Sequence, residues 1–119
     1  MAEVKIQDIY ESALSILGKT EEGTDYPFMD RFPAILNVHI AEINLFRDDN
    51  KQIALISKMS DSVDLSDREK NALSYCMAAN AAAEIDMQDL ALKNIFDMRN
   101  RLMASINTGL EDVSERYGV

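Results

Sequence analysis

The sequence predicts an all-α fold: a compact bundle of about four helices, with a long loop between the second and third and an extended C-terminal tail. Three observations carry this. Glycine (4) and proline (2) are scarce among the 119 residues, whereas an all-β chain needs turn residues at short intervals. Apolar residues recur at three- and four-residue steps in several segments. One helix start is marked by a specific signal, the S-x-x-E capping box of Ser66 and Glu69. The length suits a single domain, with its core over about residues 4–106 and the tail over about 107–119.

The first helix is expected from Val4 to Leu17. Ile6, Ile9, Tyr10, Ala13, Leu14, Ile16 and Leu17 form one apolar stripe, and Gly18 is a natural stop. "KTEEGTDYP" then reads as a polar loop. The second helix lies in "DRFPAILNVHIAEINLF", with Pro33 in the first turn, where its missing N–H costs nothing. Phe32, Ile35, Leu36, Ile43 and Phe46 make one face; Val38, Ile40, Ala41 and Leu45 make much of another. Two apolar faces predict burial on two sides, and so the central helix of the domain.

"RDDNKQIALISKMSDSVDLS" shows no sustained period and is long for a helix–helix connection. Within it, "IALIS" suits an extended piece or a short turn. The connection and the tail are expected to be mobile in a free subunit and to order on assembly. The third helix runs from the capping box to about Glu84. Asp86 is a candidate N-cap for the fourth, which continues from Met87 to Ile106 with Ala91, Ile95, Met98 and Leu102 as its seam. Asp89–Lys93 and Asp97–Arg101 are i,i+4 pairs in the favourable order. The expected core therefore includes Ile35, Leu36, Ile43, Phe46, Ile95, Met98 and Leu102. The third helix is unusual in using Ala72, Ala78, Ala79, Ala81, Ala82 and Ala83. Small residues permit close backbone approach, either inside a tight helical hairpin or against another subunit.

The charge balance is 12 basic against 21 acidic residues, a net −9. No basic patch is present to wrap nucleic acid. The single cysteine, Cys76, cannot form an internal disulfide, which fits a reducing compartment. No signal peptide or membrane-spanning segment is expected. His39 and Glu42 spell H-x-x-E, the reverse of the order used in di-iron bundles, and there is no second histidine; a packed or surface histidine, not a ligand, is the expectation. Cys76 lies among Tyr75, Met77 and Ala78, where an inert buried thiol is expected. "DSVDLSD" lacks the glycine and the terminal glutamate of a calcium loop. No catalytic residue, cofactor or metal is predicted, and no enzymatic activity is expected.

Taken together, these segments resemble the small helical head–tail connector (adaptor) proteins of tailed bacteriophages and prophages. "IYESALSILGK" is similar to their opening helix. "DRFPAILNVHIAEI" is similar to their second, with Asn37 and Glu42 at the matching spacing. "LSDREKNALSYCMAANAAAEIDMQDLALKNIFDMRNRL" resembles their third and fourth, and "ERYGV" their closing "D-x-Y-G-G". The chain departs from the pattern at Cys76 or Met77, where glycine is common, and at Val119. The resemblance implies a non-catalytic virion subunit, assembled in the bacterial host cytoplasm. It implies a ring of copies, dodecameric in the family, below the portal protein. The ring would extend the DNA channel without binding DNA tightly and would offer a docking surface to a tail-completion or stopper protein. Glu115, Arg116, Tyr117 and Gly118 in the tail are then the expected portal or neighbour contacts, and Asp61, Asp64 and Asp67 the expected lumen-facing acids. Two other classes fit the composition: a helical regulatory or protein-interaction module acting as a dimer, and a metal-dependent enzyme using the acidic loop.

Overall fold

A computed structural model of the chain describes residues 2–18, 29–84 and 89–107. A short strand β1 (Ala2–Lys5) leads directly into helix α1 (Ile6–Ile16). A 3-10 turn, Met29–Arg31, opens helix α2 (Phe32–Asn44), with Pro33 in its first turn. The connection that follows holds a second 3-10 turn, Asp49–Lys51, and strand β2 (Ser62–Leu65). Helices α3 (Asp67–Glu84) and α4 (Asp89–Asn107) complete the described chain. The fold is a mostly helical bundle of four helices with one two-stranded sheet.

The central helix is α3, not α2. It packs against all three other helices, and Ala72, Leu73, Cys76, Met77, Ala78, Ala79, Ala81 and Ala82 are all buried. A helix apolar around its whole girth is one surrounded on all sides. Alanine lets three neighbours approach one axis where leucine would hold them apart. Ala72, Ala78, Ala79, Ala81 and Ala82 are thus spent inside the subunit and do not face another copy; the side chain of Ala83 lies outside the described residues. On α2 the side chains of Phe32, Leu36, Ile40 and Ile43 are buried, while Val38 (61% exposed) and, just past its end, Leu45 (80%) and Phe46 (56%) face solvent. The second apolar face of α2 is therefore left largely uncovered, and two apolar faces do not make it central.

Of the expected core, Leu36, Ile43 and Ile95 are buried, and Ile35 and Leu102 pack against it half-buried. Phe46 and Met98 are corrections, both exposed. Phe46 lies beyond the last turn of α2, where the chain has already left the helix axis. Met98 borders an open groove of about 440 Å³ with Ile16, Tyr75 and Ile95.

Two strands replace expected helix and loop. β1 and β2 pair antiparallel, with Ala2 opposite Leu65 and Val4 opposite Val63. Val4, Val63 and Leu65 are buried while Glu3, Lys5, Ser62 and Asp64 are exposed, the alternation of a strand with one covered face. The first helix consequently begins at Ile6, two residues later than expected. Its end is as predicted: Gly18 has φ +75°, and its N–H donates to the Ser15 carbonyl at 3.0 Å. Tyr10 of α1 meets Phe32 of α2 edge to face at 5.5 Å. The loop after Gly18, the Asp86 cap, Met87 and the tail lie outside the described residues.

Candidate functional site

The connection between α2 and β2 is pinned, contrary to the expectation of a mobile loop. Asn37 donates its amide to the Ile56 carbonyl (2.7 Å) and accepts the Ile56 N–H (2.9 Å). Asn44 does the same to Ile53, at 3.0 and 2.7 Å. Seven helical residues rise about 10.5 Å, and three residues of polyproline II chain rise about 9 Å. The two spacings match, so one helix face can hold an unpaired chain by two points. Gln52, with φ −65° and ψ 138°, has the polyproline II conformation. Ile53 and Ile56, three residues apart, turn inward, whereas Ala54 and Leu55 point out. We call residues 52–57 the strap. Gln52 also donates to the Asn44 and Arg47 carbonyls (2.8 and 3.0 Å), satisfying the open end of α2.

Arg47 ties this region to α3. Its guanidinium donates to both carboxylate oxygens of Glu69, at 2.7–3.0 Å, and to the Lys51 carbonyl at 2.7 Å. Glu69 accepts the Ser66 N–H (3.0 Å) and donates its own N–H to Ser66 Oγ (3.2 Å). The capping box read from the sequence is therefore present, and its glutamate is buried because an arginine from another element neutralises it.

A second polar cluster joins α2, α3 and α4. His39 Nδ1 lies 2.8 Å from Glu42 Oε1, and Asn80 Nδ2 lies 2.6 Å from His39 Nε2. Arg99 reaches the other Glu42 oxygen at 3.5 Å. These contacts suit a neutral ring, with Nδ1–H donating to Glu42 and Nε2 accepting from Asn80. Burial lowers the His39 pKa from its usual value; Glu42 acts in the opposite sense, and Arg99 adds to the lowering. Cys76 sits in the same region, and burial pushes its thiol up to about 11. At neutral pH it is a protonated thiol, a poor nucleophile. Among the described residues no group of three or more His, Cys, Asp and Glu is placed to hold a metal ion.

The three acids expected to line a lumen separate into two kinds. Asp64 and Asp67 are exposed. Asp61 is a corner post: its carboxylate accepts the N–H groups of Ser57 (2.8 Å) and Lys58 (3.1 Å), and its carbonyl accepts the Ile6 N–H (3.0 Å). Those backbone N–H groups hold its carboxyl below the usual range. Asp61 thus has a task in the fold of its own. Glu115, Arg116, Tyr117 and Gly118 lie outside the described residues. What sequence reasoning missed is Asn44 and Gln52, whose partners are nearby backbone groups, and Asn80 and Arg99, whose partners are remote in the chain.

Among the described residues the most exposed large apolar side chains gather on α2, the turn after it and the strap, with Phe96 and Met98 of α4 less exposed. Val38, Ala41 and Leu45 are exposed at i, i+3 and i+7, on one helical face. Leu55 (66% exposed) stands beside them, sharing a shallow cleft with Ala41 and Leu45. No family model, no curated protein and no solved structure matches the chain.

Proposed function

We propose that the chain is a structural subunit of a phage or prophage head–tail connector. Copies form a ring below the portal protein, extend the DNA channel and present a docking surface to a tail-completion or stopper protein. The observation that carries this reading is the exposed ridge of Val38, Leu45 and Leu55. The core is already filled by α3, so this ridge does nothing for the isolated fold. Aliphatic groups brought side by side by a helix and the strap pinned to it suit a protein contact. Every polar cluster described above has a structural task, so the reading needs no catalytic group. It also draws on the likeness of the four helical segments, in order, to those connectors.

The net charge supports passage of DNA without adhesion. A ring multiplies −9 per chain and repels phosphates over a Debye length of ~8 Å at physiological salt. Asp61, Asp64 and Asp67 remain the proposed lumen-facing acids, Asp61 with a folding role besides. No affinity for duplex DNA is expected even at low ionic strength, and a salt-sensitive gel shift would count against a conduit.

The deciding experiment mixes the purified chain with portal rings. Electron microscopy should show added density on the portal, and Leu45→Asp with Leu55→Asp should abolish it. A stable dimer indifferent to portal would favour the regulatory module instead.

A further inference from the structure

Two apolar features lie on different sides of the bundle. Helix α3 is flanked by α1, α2 and α4, but α1 and α4 scarcely touch one another. Between them runs the open groove of about 440 Å³, with Ile16 of α1 on one wall, Asn94, Ile95 and Met98 of α4 on the other, and Tyr75 of α3 between. A methyl group at Gly18, at the α1 end of the groove, would meet no heavy atom within 4 Å. Toward α2, α3 turns Glu69 and Asn80, which meet Arg47 and His39. Tyr75 stands roughly 120–140° around the helix from both. The groove therefore opens away from α2, while the ridge of Val38, Leu45 and Leu55 stands on the outer side of α2. One copy carries a convex apolar strip and a concave one, facing in different directions.

Their lengths and rims match. From Val38 to Leu45 the ridge rises about 10.5 Å, and from Lys93 to Arg101 the α4 wall rises about 12 Å. The turn after the ridge holds Asp48 and Asp49 with Lys51; the wall holds Lys93 and Arg101 with Asp97 between them. All six are exposed, and none has a side-chain ion pair among the described residues. A base stands at each end of the wall, so the acidic end of the ridge meets one whichever way the ridge lies. Three large aliphatic side chains, each more than half exposed, leave a patch on the order of 300 Å², the size at which a patch on a monomer is commonly functional. Paired with the groove and its charged rim, the contact falls below about 1,200 Å² in total, the class of weak and reversible interfaces.

We infer that the α2 ridge of one copy seats in the α1–α4 groove of the next; this rests on the ring reading above, which supplies the neighbouring copy. Ridge and groove belong to different faces, so the contact is heterologous. Each copy gives one ridge and receives one, and the series closes into a ring or extends as a filament. A patch that paired with itself would instead stop at a dimer. The incoming helix lies along α4, where its aliphatic side chains and those of Ile95 and Met98 leave water together. A contact of this size leaves free copies largely apart. A portal ring that holds several copies side by side raises their effective concentration and so favours closure.

The test uses the full chain and breaks one face at a time. Leu45→Asp spoils the ridge and leaves the groove; Met98→Asp does the reverse, both at exposed positions. Circular dichroism and melting check that each variant folds. Asn94→Glu, on the exposed wall, spoils the groove in place of Met98→Asp if that variant unfolds. Sedimentation velocity of the unaltered chain should show association that grows past the dimer as concentration rises. Each variant alone should associate about tenfold more weakly or worse, because a charge is carried into an apolar contact. An equal mixture of the two keeps one intact ridge and one intact groove. It should recover a single contact, a one-to-one pair that grows no further. In that mixture the Met98 methyl resonance of the Leu45→Asp chain should shift when the Met98→Asp chain is added. A Met98→Asp chain that still dimerises would mean that ridge meets ridge. A mixture no larger than its parts, or an unaltered chain still monomeric at ~1 mM, would mean that ridge and groove do not meet. Each of these overturns the inference. Portal recruitment is scored separately. Copies that load onto portal while the mixture fails to pair refute this contact and keep the connector. A mixture that pairs, from a chain that ignores portal, does the reverse.

Discussion

Helices α2 and α3 invert the usual relation between side-chain size and burial. α2 is rich in Ile, Leu, Val and Phe, yet Val38 on its outer face and Leu45 and Phe46 just past its end lie in solvent. α3 is built largely of alanine and is buried along most of its length. The hydrophobic effect rewards area removed from water, so large residues attract attention when a sequence is scanned for a core. Packing around a shared axis rewards a thin helix, because three neighbours must all come close. The centre of a small bundle is therefore set by which helix is narrow. The excess apolar surface of a broad peripheral helix is then left for other tasks.

The joint between the two regions should be the most sensitive point. Arg47 and Glu69 are paired with little solvent access on either side chain. Arg47→Met leaves the Glu69 carboxylate buried and unneutralised, and breaking such a pair from one side costs about 3–5 kcal/mol. Chemical denaturation should show that loss. A change within 0.5 kcal/mol, roughly the level of an ordinary surface substitution, would mean that the capping box alone holds the start of α3.

The contrast within α2 comes next. Leu36→Ala, at a fully buried position, should cost about 2–5 kcal/mol. Leu45→Ala should stay within about 0.5 kcal/mol while weakening assembly. Equal losses from both would show that the outer face is covered in the isolated chain. In α3 the reverse experiment applies. Ala81→Leu adds bulk where none fits and should cost about 1–3 kcal/mol, lowering the melting temperature although the residue becomes more hydrophobic. A stabilised variant would break the claim that narrowness is what α3 supplies.

The strap should respond more locally. Asn44→Leu removes both partners of Ile53, leaving an N–H and a C=O to find water at a half-buried site, at about 1–3 kcal/mol. Loss of exchange protection at Ile53, with helicity retained, is the expected signature. Global unfolding would mean that the strap carries the fold and not only its own placement.

Legibility in the sequence followed the range of each interaction. The capping box of Ser66 and Glu69, the stop at Gly18 and the position of Pro33 are local, and each is found where the sequence places it. The pairing of Ala2–Lys5 with Ser62–Leu65 joins segments about sixty residues apart in strands of four, too short for alternation to stand out from chance. Asn37 and Asn44 at a seven-residue spacing are visible in the sequence, but their partners are backbone groups, which carry no letter. His39 and Glu42 could be paired by spacing alone. Asn80 and Arg99 could not, because they arrive on other helices.

That last cluster gives the smallest effect and the one whose sign is easiest to misjudge. His39 is held neutral in the folded chain mainly by burial, with its ring N–H directed at Glu42 and its other nitrogen accepting from Asn80. Glu42 on α2 favours the cation, while Arg99 on α4 opposes it; Cys76 on α3 is uncharged at neutral pH. The folded pKa thus lies below the usual 6.5, while the unfolded chain titrates near that value. Between the two, the unfolded state binds more protons, so stability rises with pH across that window. The contribution is fully present above pH 6.5 and is lost as pH falls through the folded pKa. Denaturation midpoints measured just above and just below the usual histidine value should therefore fall on acidification, and His39→Gln should flatten that slope even if it lowers the midpoint overall. A wild-type midpoint that rises on acidification would mean that the Glu42 pairing outweighs burial, and that the cluster holds an imidazolium.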